Sequence, residues 1–97
     1  MRSYKEIKEL LRKHKKELAE SYKIKEIGVF GSYVRDEQNR MSDVDILVEF
    51  EKAPDLLKFI ELERKLEGIL RVKVDLVRKK ALREELRKVI LSQVVEV

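Results

Sequence analysis

Five residues of this 97-residue chain have types and spacing that could do chemistry together. Gly31 and Ser32 are followed, after ten intervening residues, by the pair Asp43 and Asp45 around a valine, and Asp75 sits inside the later stretch VDLV (74–77). The chain has 14 Glu but only five Asp, and three of those five are Asp43, Asp45 and Asp75, in or beside apolar runs. A chain that solvates itself with Glu reserves Asp for another task. Side chains alternate along a strand, so Asp43 and Asp45 point to one face while Val44, Ile46, Val48 and Phe50 point to the other, the core. In the later strand Val72, Val74 and Leu76 form the core set, leaving Lys73, Asp75 and Val77 opposite. Three converging carboxylates repel and raise one another's pKa, which a cation relieves. Oxygen ligands without His or Cys favour Mg²⁺ or Mn²⁺ over zinc, and Mg²⁺ completes its shell with water and substrate phosphates. Gly31 allows close backbone approach, the N–H groups that follow suit an anion, and Ser32 adds a hydroxyl. Together these features describe a nucleoside triphosphate held by its phosphates above two metal ions, set for in-line attack at phosphorus.

The elements that must position these residues follow from periodicity. Tyr4, Ile7, Leu11, His14, Leu18 and Tyr22 mark one face of an amphipathic helix over about residues 3–22. Residues 24–30 read as a strand ending at Gly31, followed by a short helix and the loop RDEQNRMS. Residues 43–50 form a second strand. Asp55 is the expected N-cap of a helix over about 55–67 with Leu56, Leu57, Ile60 and Leu66 apolar, and Gly68 is its expected terminator. Residues 71–77 alternate as a third strand, and a last helix over about 81–93 turns Leu82, Leu86, Val89 and Ile90 inward. The resulting order, αβαβαβα, predicts a small α/β (α+β) layer protein, one domain over 1–97, with a three-stranded mixed sheet flanked by helices. About twenty residues with a helix join the second and third strands, the requirement for a parallel crossover. The Gly-Ser pair ends the first strand while Asp43 and Asp45 begin the second, so these meet only if the first two strands run antiparallel.

Composition narrows the function. Charged residues make up 43% of the chain but the net charge is only +4. The interleaved Lys, Arg and Glu read as salt-bridged surface, so direct nucleic-acid binding is not expected. Cysteine is absent, which excludes disulfides, thiolate zinc sites and cysteine nucleophiles. No apolar h-region and no membrane-length apolar run is present, and the expected location is the cytosol.

Gly31-Ser32, the ten-residue interval, Asp43-Val-Asp45 followed by ILV, and the later VDLV resemble the minimal nucleotidyltransferases (MNT) of the DNA polymerase β superfamily. The resemblance runs over nearly the whole chain, including LLKFIELERKLEGIL and LREELRKVILSQVVEV. It implies the nucleotidyltransferase fold, with Asp43 and Asp45 binding two divalent ions. It implies that Asp75 joins the catalytic ion and helps activate the attacking hydroxyl, and that Gly31 and Ser32 hold the β- and γ-phosphates. Arg35 matches the family's basic residue, steering phosphate or bracing the aspartates. The family usually has Gly after this Arg, and here the residue is Asp36. Small stand-alone members resemble antitoxins that transfer AMP from ATP to a tyrosine of a HEPN ribonuclease toxin.

Blander readings stand beside these. Asp43 and Asp45 alone would pass for a solvated start of a strand, and His14 on its apolar stripe for a core or interface residue. Ser32 has no His near it in sequence and is not expected to be a nucleophile. Other acceptors, an RNA 3′ end or a small-molecule hydroxyl, remain open, as does a non-catalytic module that neutralises a toxin by contact. The apolar tail ILSQVVEV, with Val94, Val95 and Val97, is expected to meet a partner, either a second copy in a homodimer or a HEPN toxin.

Overall fold

The computed structural model describes residues 2–97. Helix α1 (Tyr4–Tyr22) starts at Ser3, whose hydroxyl accepts from the Glu6 amide while the Glu6 carboxylate accepts from the Ser3 amide, both at 3.2 Å. This reciprocal cap satisfies two amides that the first helical turn would leave open. Ile7, Leu11, Leu18 and Tyr22 are buried, and Lys23 ends the helix in a left-handed conformation. His14 lies on the flank of that stripe rather than in the core, 3.8 Å from Glu17, with about 30% of its side chain exposed.

Strand β1 (Ile24–Phe30) passes into a short 3-10 turn (Gly31–Tyr33), and the chain returns as β2 (Val44–Phe50), antiparallel to β1. Helix α2 (Leu56–Leu70) crosses over to β3 (Val74–Arg78), which runs parallel to β2. The parallel pair is the one required by the connection length, and the antiparallel pair the one required for the Gly-Ser turn to meet Asp43 and Asp45. A second 3-10 turn (Lys79–Ala81) leads to α3 (Glu84–Gln93) and to β4 (Val95–Glu96). The sheet order is β3-β2-β1-β4.

The sheet therefore has four strands, where the sequence predicts three. β4 pairs with β1 at Gly28 and Val29, and a Cβ on Gly28 would lie 2.9 Å from the Val95 carbonyl oxygen. The missing side chain is what lets the tail approach. Val97 is buried, and its amide donates to the Ile27 carbonyl at 3.0 Å. The end of the tail is thus taken up by this chain's own sheet and core, contrary to its expected role as a partner surface.

Asp55 caps α2 as predicted, accepting from the Lys58 amide at 2.8 Å. The helix then runs through Gly68 to Leu70, and Leu62, Leu66 and Leu70 form its buried stripe. Burying Leu70 contributes about 1.5–3 kcal/mol, more than the roughly 1 kcal/mol that Gly costs a helix interior. The left-handed cap moves to Arg71, at φ 57°. Leu56 and Leu57, two of the apolar residues of this helix, are 72% and 80% exposed. They occupy the first turn, ahead of the stripe that meets the sheet.

The core lies between α1, α2 and the face of the sheet carrying Val44, Ile46, Val48, Val74 and Leu76. With that face covered, α3 goes to the other one, where Leu91 and Val94 share a small cavity with Gly28 and Leu47. This placement corrects the expectation for the last helix: Leu86 and Val89 are about half exposed, and none of its residues is fully buried. β3 is an edge strand, yet the amides of Val74 and Leu76 donate to Glu67 and Glu63 of α2, each at 3.1 Å. Among the described residues no helix is long and apolar enough to cross a membrane.

Candidate active site

The strand register brings the predicted residues to one end of the sheet. Phe30 pairs with Asp45 across β1 and β2, and Asp45 pairs with Asp75 across β2 and β3. Neighbouring residues in register share a face, so Asp75 stands beside Asp45, and Asp43 lies two residues before Asp45 on the same face. Asp45 is half-buried, while Asp43 and Asp75 are exposed.

Gly31 follows Phe30 directly and has φ +80°, a conformation that residues with a Cβ rarely adopt. A Cβ here would overlap the Asp45 carboxylate, with Cγ only 3.0 Å away. Gly31 is therefore fixed twice, by backbone conformation and by the carboxylate lying against it. Its carbonyl accepts from the amides of Val34 and Arg35 at 3.1 and 3.3 Å, closing the turn that carries half-buried Ser32.

The Asp45 carboxyl is pushed up to about 6, first by burial, then by the charges of Asp75 and Asp43, with Arg35 pulling the other way. Among the described residues no hydrogen bond contributes to holding its charge. The Tyr33 hydroxyl is likewise raised, by burial and then by Asp43, and the Tyr33 ring is buried. The three aspartates thus feel one another, yet among the described residues no three metal-ligating side chains close into a finished cage.

Arg35 reaches from the turn toward α3, donating to Gln93 at 3.1 Å and to Glu37 at 3.2 Å. Asp36 has φ 57°. The left-handed backbone explains why glycine suits this position, and Asp is one of the few residues that tolerates it. Asn39 braces the loop before β2: its side chain accepts from the Met41 amide at 2.8 Å and its amide donates to Ser42 at 2.9 Å.

Sequence reasoning missed two features. Gln93, from the far end of the chain, meets Arg35 only because β4 folds back onto β1. A recess of about 510 Å³ also opens beside Asp43, lined by Tyr33, Arg40, Met41, Arg71 and Lys73 among others. The alternation that placed Lys73 on the face of Asp75 was the one available signal for it. Arg40 and Arg71 come from loops whose juxtaposition depends on the Val44 amide donating to the Lys73 carbonyl at 2.8 Å.

A sheet end with paired aspartates, a glycine-serine turn and a third aspartate in register defines a nucleotidyltransferase. The chain belongs to the nucleotidyltransferase domain family, which it matches over residues 11–97. Among its relatives is the protein adenylyltransferase MntA of Thermococcus cleftensis, 55% identical over 97 residues, covering 100% of this chain and 98% of the relative. A toxin-antitoxin crystal structure with AMP-PNP matches with TM-score 0.70 and 31% identity, covering 96% of this chain and 70% of that one. The complex of a tri-AMPylated Shewanella oneidensis HEPN toxin with its MNT antitoxin matches with TM-score 0.66 and 27% identity, covering 91% and 69%. The protein is an enzyme, and its relatives carry the narrower name of protein adenylyltransferases.

Proposed function

We propose that this nucleotidyltransferase is an antitoxin that transfers AMP from ATP to a tyrosine of a HEPN ribonuclease toxin. The observation that carries the reading is the register Phe30–Asp45–Asp75 across three strands, which sets the phosphate turn, the paired aspartates and the third aspartate side by side. The relatives' names and complexes supply the acceptor class.

The donor set fits a hard divalent cation: three carboxylates on one face, one of them half-buried and without a hydrogen bond among the described residues, and no sulfur or imidazole among them. Asp43, Asp45 and Asp75 would hold two ions, Mg²⁺ or Mn²⁺. When bound, such ions neutralise the charge that develops on the transferring phosphoryl group. Gly31 and Ser32 receive the β- and γ-phosphates, and Arg35 offsets charge beside Asp45. Asp75, exposed at the outer strand, orients the incoming hydroxyl and takes its proton. The tyrosine oxygen bonds to the α-phosphorus, the α–β anhydride breaks, and pyrophosphate leaves.

Incubating the enzyme with a HEPN partner, ATP and Mg²⁺, then measuring the intact mass of the partner, tests this. AMP on tyrosine is the expected result. An unmodified partner whose ribonuclease activity is still blocked would establish neutralisation by contact instead.

A further inference from the structure

A guanidinium carries five N–H donors, and in Arg35 two of its nitrogens have partners: Nε donates to Glu37 at 3.2 Å and Nη1 to Gln93 at 3.1 Å. The group is therefore held from two directions. Glu37 belongs to the same turn, whereas Gln93 is the last residue of α3, 58 positions further along the chain. Among the described residues no acceptor takes the Nη2 protons, which leaves that edge of the fork for a ligand. Both ends of the Arg35–Gln93 contact are tied to β1. Arg35 follows the turn that leaves β1 at Phe30, and Gln93 stands two residues before Val95, which pairs with Val29. The Val94 amide donates to the Ile90 carbonyl at 3.0 Å and keeps Gln93 within its helix. Without this brace an arginine side chain 43% exposed would sample many rotamers, and ordering it when a nucleotide arrives would cost affinity.

The residue type at position 93 matters as much as its place. The chain has 14 Glu and only two Gln, and its cations elsewhere meet glutamates, as in Arg2–Glu6, Lys58–Glu61, Lys65–Glu17 and Lys79–Glu26. Here the second acceptor is a neutral amide oxygen. It fixes the fork without adding a charge, whereas a carboxylate beside that of Glu37 would leave the cluster net negative and repel an anion. We infer that Gln93 is a positioning residue for nucleotide binding: it holds the Arg35 guanidinium, with its charge undiminished, toward the phosphates at Gly31 and Ser32. This rests on the reading above, in which Gly31, Ser32 and Arg35 form the phosphate side of the site. It also gives α3, none of whose residues is fully buried, a task at the active site.

The test is calorimetry of AMP-PNP binding to the whole chain in Mg²⁺. Gln93→Met removes the acceptor and keeps an unbranched side chain that suits a helix, so the fold is retained, which circular dichroism checks. It should weaken AMP-PNP binding by about three- to tenfold, the worth of one hydrogen bond. In an Arg35→Ala background the same change should alter affinity by less than about twofold, because the group it positions is gone. Gln93→Glu still accepts from Arg35 but adds a charge, and should lose at least as much as Gln93→Met. Wild-type affinity in Gln93→Met overturns the inference. So does an equal loss with and without Arg35, which would make Gln93 a support for the fold of the turn. Wild-type or tighter binding in Gln93→Glu overturns it too, since any acceptor would then serve. No toxin enters this measurement. Wild-type protein that binds no AMP-PNP would sink the nucleotide reading itself, whereas normal wild-type binding with indifferent variants would sink only the role of Gln93.

Discussion

Replacing Asp45 by Asn should make the metal-free protein more stable, because the native carboxylate is held against its own charge. Its pKa is raised from 3.8 to about 6, chiefly by burial and by Asp75 and Asp43. Below 3.8 both folded and unfolded states carry the proton and the group costs nothing. Between 3.8 and about 6 the unfolded chain loses the proton first, so stability falls as pH rises, and above 6 the full cost applies. At 1.36 kcal/mol per pKa unit that cost is about 3 kcal/mol. Asp45 is only half-buried, so screening by water and salt reduces the figure to about 1–3 kcal/mol. Asn has nearly the same shape and never charges. In EDTA at pH 7.5, thermal unfolding of Asp45→Asn should come at a higher temperature, by some 4–8 °C per kcal/mol recovered. At pH 3.5 the two proteins should unfold together. Added Mg²⁺ should raise the wild-type midpoint and leave the variant's unchanged, since a ligand that binds only the native state stabilises it. A variant less stable than wild type at pH 7.5, or a gap of equal size at pH 3.5, would refute the reasoning.

Gly31→Ala should cost at least about 1–2 kcal/mol from the left-handed backbone alone, read by denaturant midpoint. It should also lower AMP transfer by about a hundredfold through displacement of Asp45. Asp75→Asn should lower turnover by about a hundredfold or more with little change in AMP-PNP affinity by calorimetry, and equal losses in both would make its role structural. Asp36→Gly should stabilise the fold by about 0.5–1 kcal/mol in urea denaturation without loss of transfer, because it removes a Cβ from a left-handed turn.

Much of this arrangement was legible in the chain because alternation and connection length are local facts. Asp43, Asp45 and Asp75 fell on one face by parity, and the helix between β2 and β3 required a parallel pair. The parts that were not legible depend on what a distant segment does. β4 is two residues long, too short for any periodicity, and exists because Gly28 leaves space for it. α2 ignores Gly68 because Leu70 has a sheet to bury against, a gain invisible within the helix itself. The inward face predicted for α3 assumed one core, whereas α1 and α2 already fill it. The recess of Arg40, Arg71 and Lys73 needs two loops brought together by β2–β3 pairing, which spacing alone does not reveal. The departure at Asp36, by contrast, becomes intelligible once its φ of 57° is known.

The glutamates of α2 that accept from β3 have a consequence for association between molecules. An outer strand ordinarily offers its free amides to any passing chain. Here Glu63 and Glu67, one helical turn apart, already occupy those of Leu76 and Val74. Another strand could add to this side only by breaking two charge-assisted hydrogen bonds, each contributing about 1.5–3 kcal/mol. The sheet is thereby closed to growth on the side nearest Asp75, without a proline or a lysine on the strand itself. The same two bonds act as a ruler. A slip of β3 by one residue would forfeit both and turn Asp75 toward the core, so the helix that covers the sheet also fixes the height at which the third carboxylate stands.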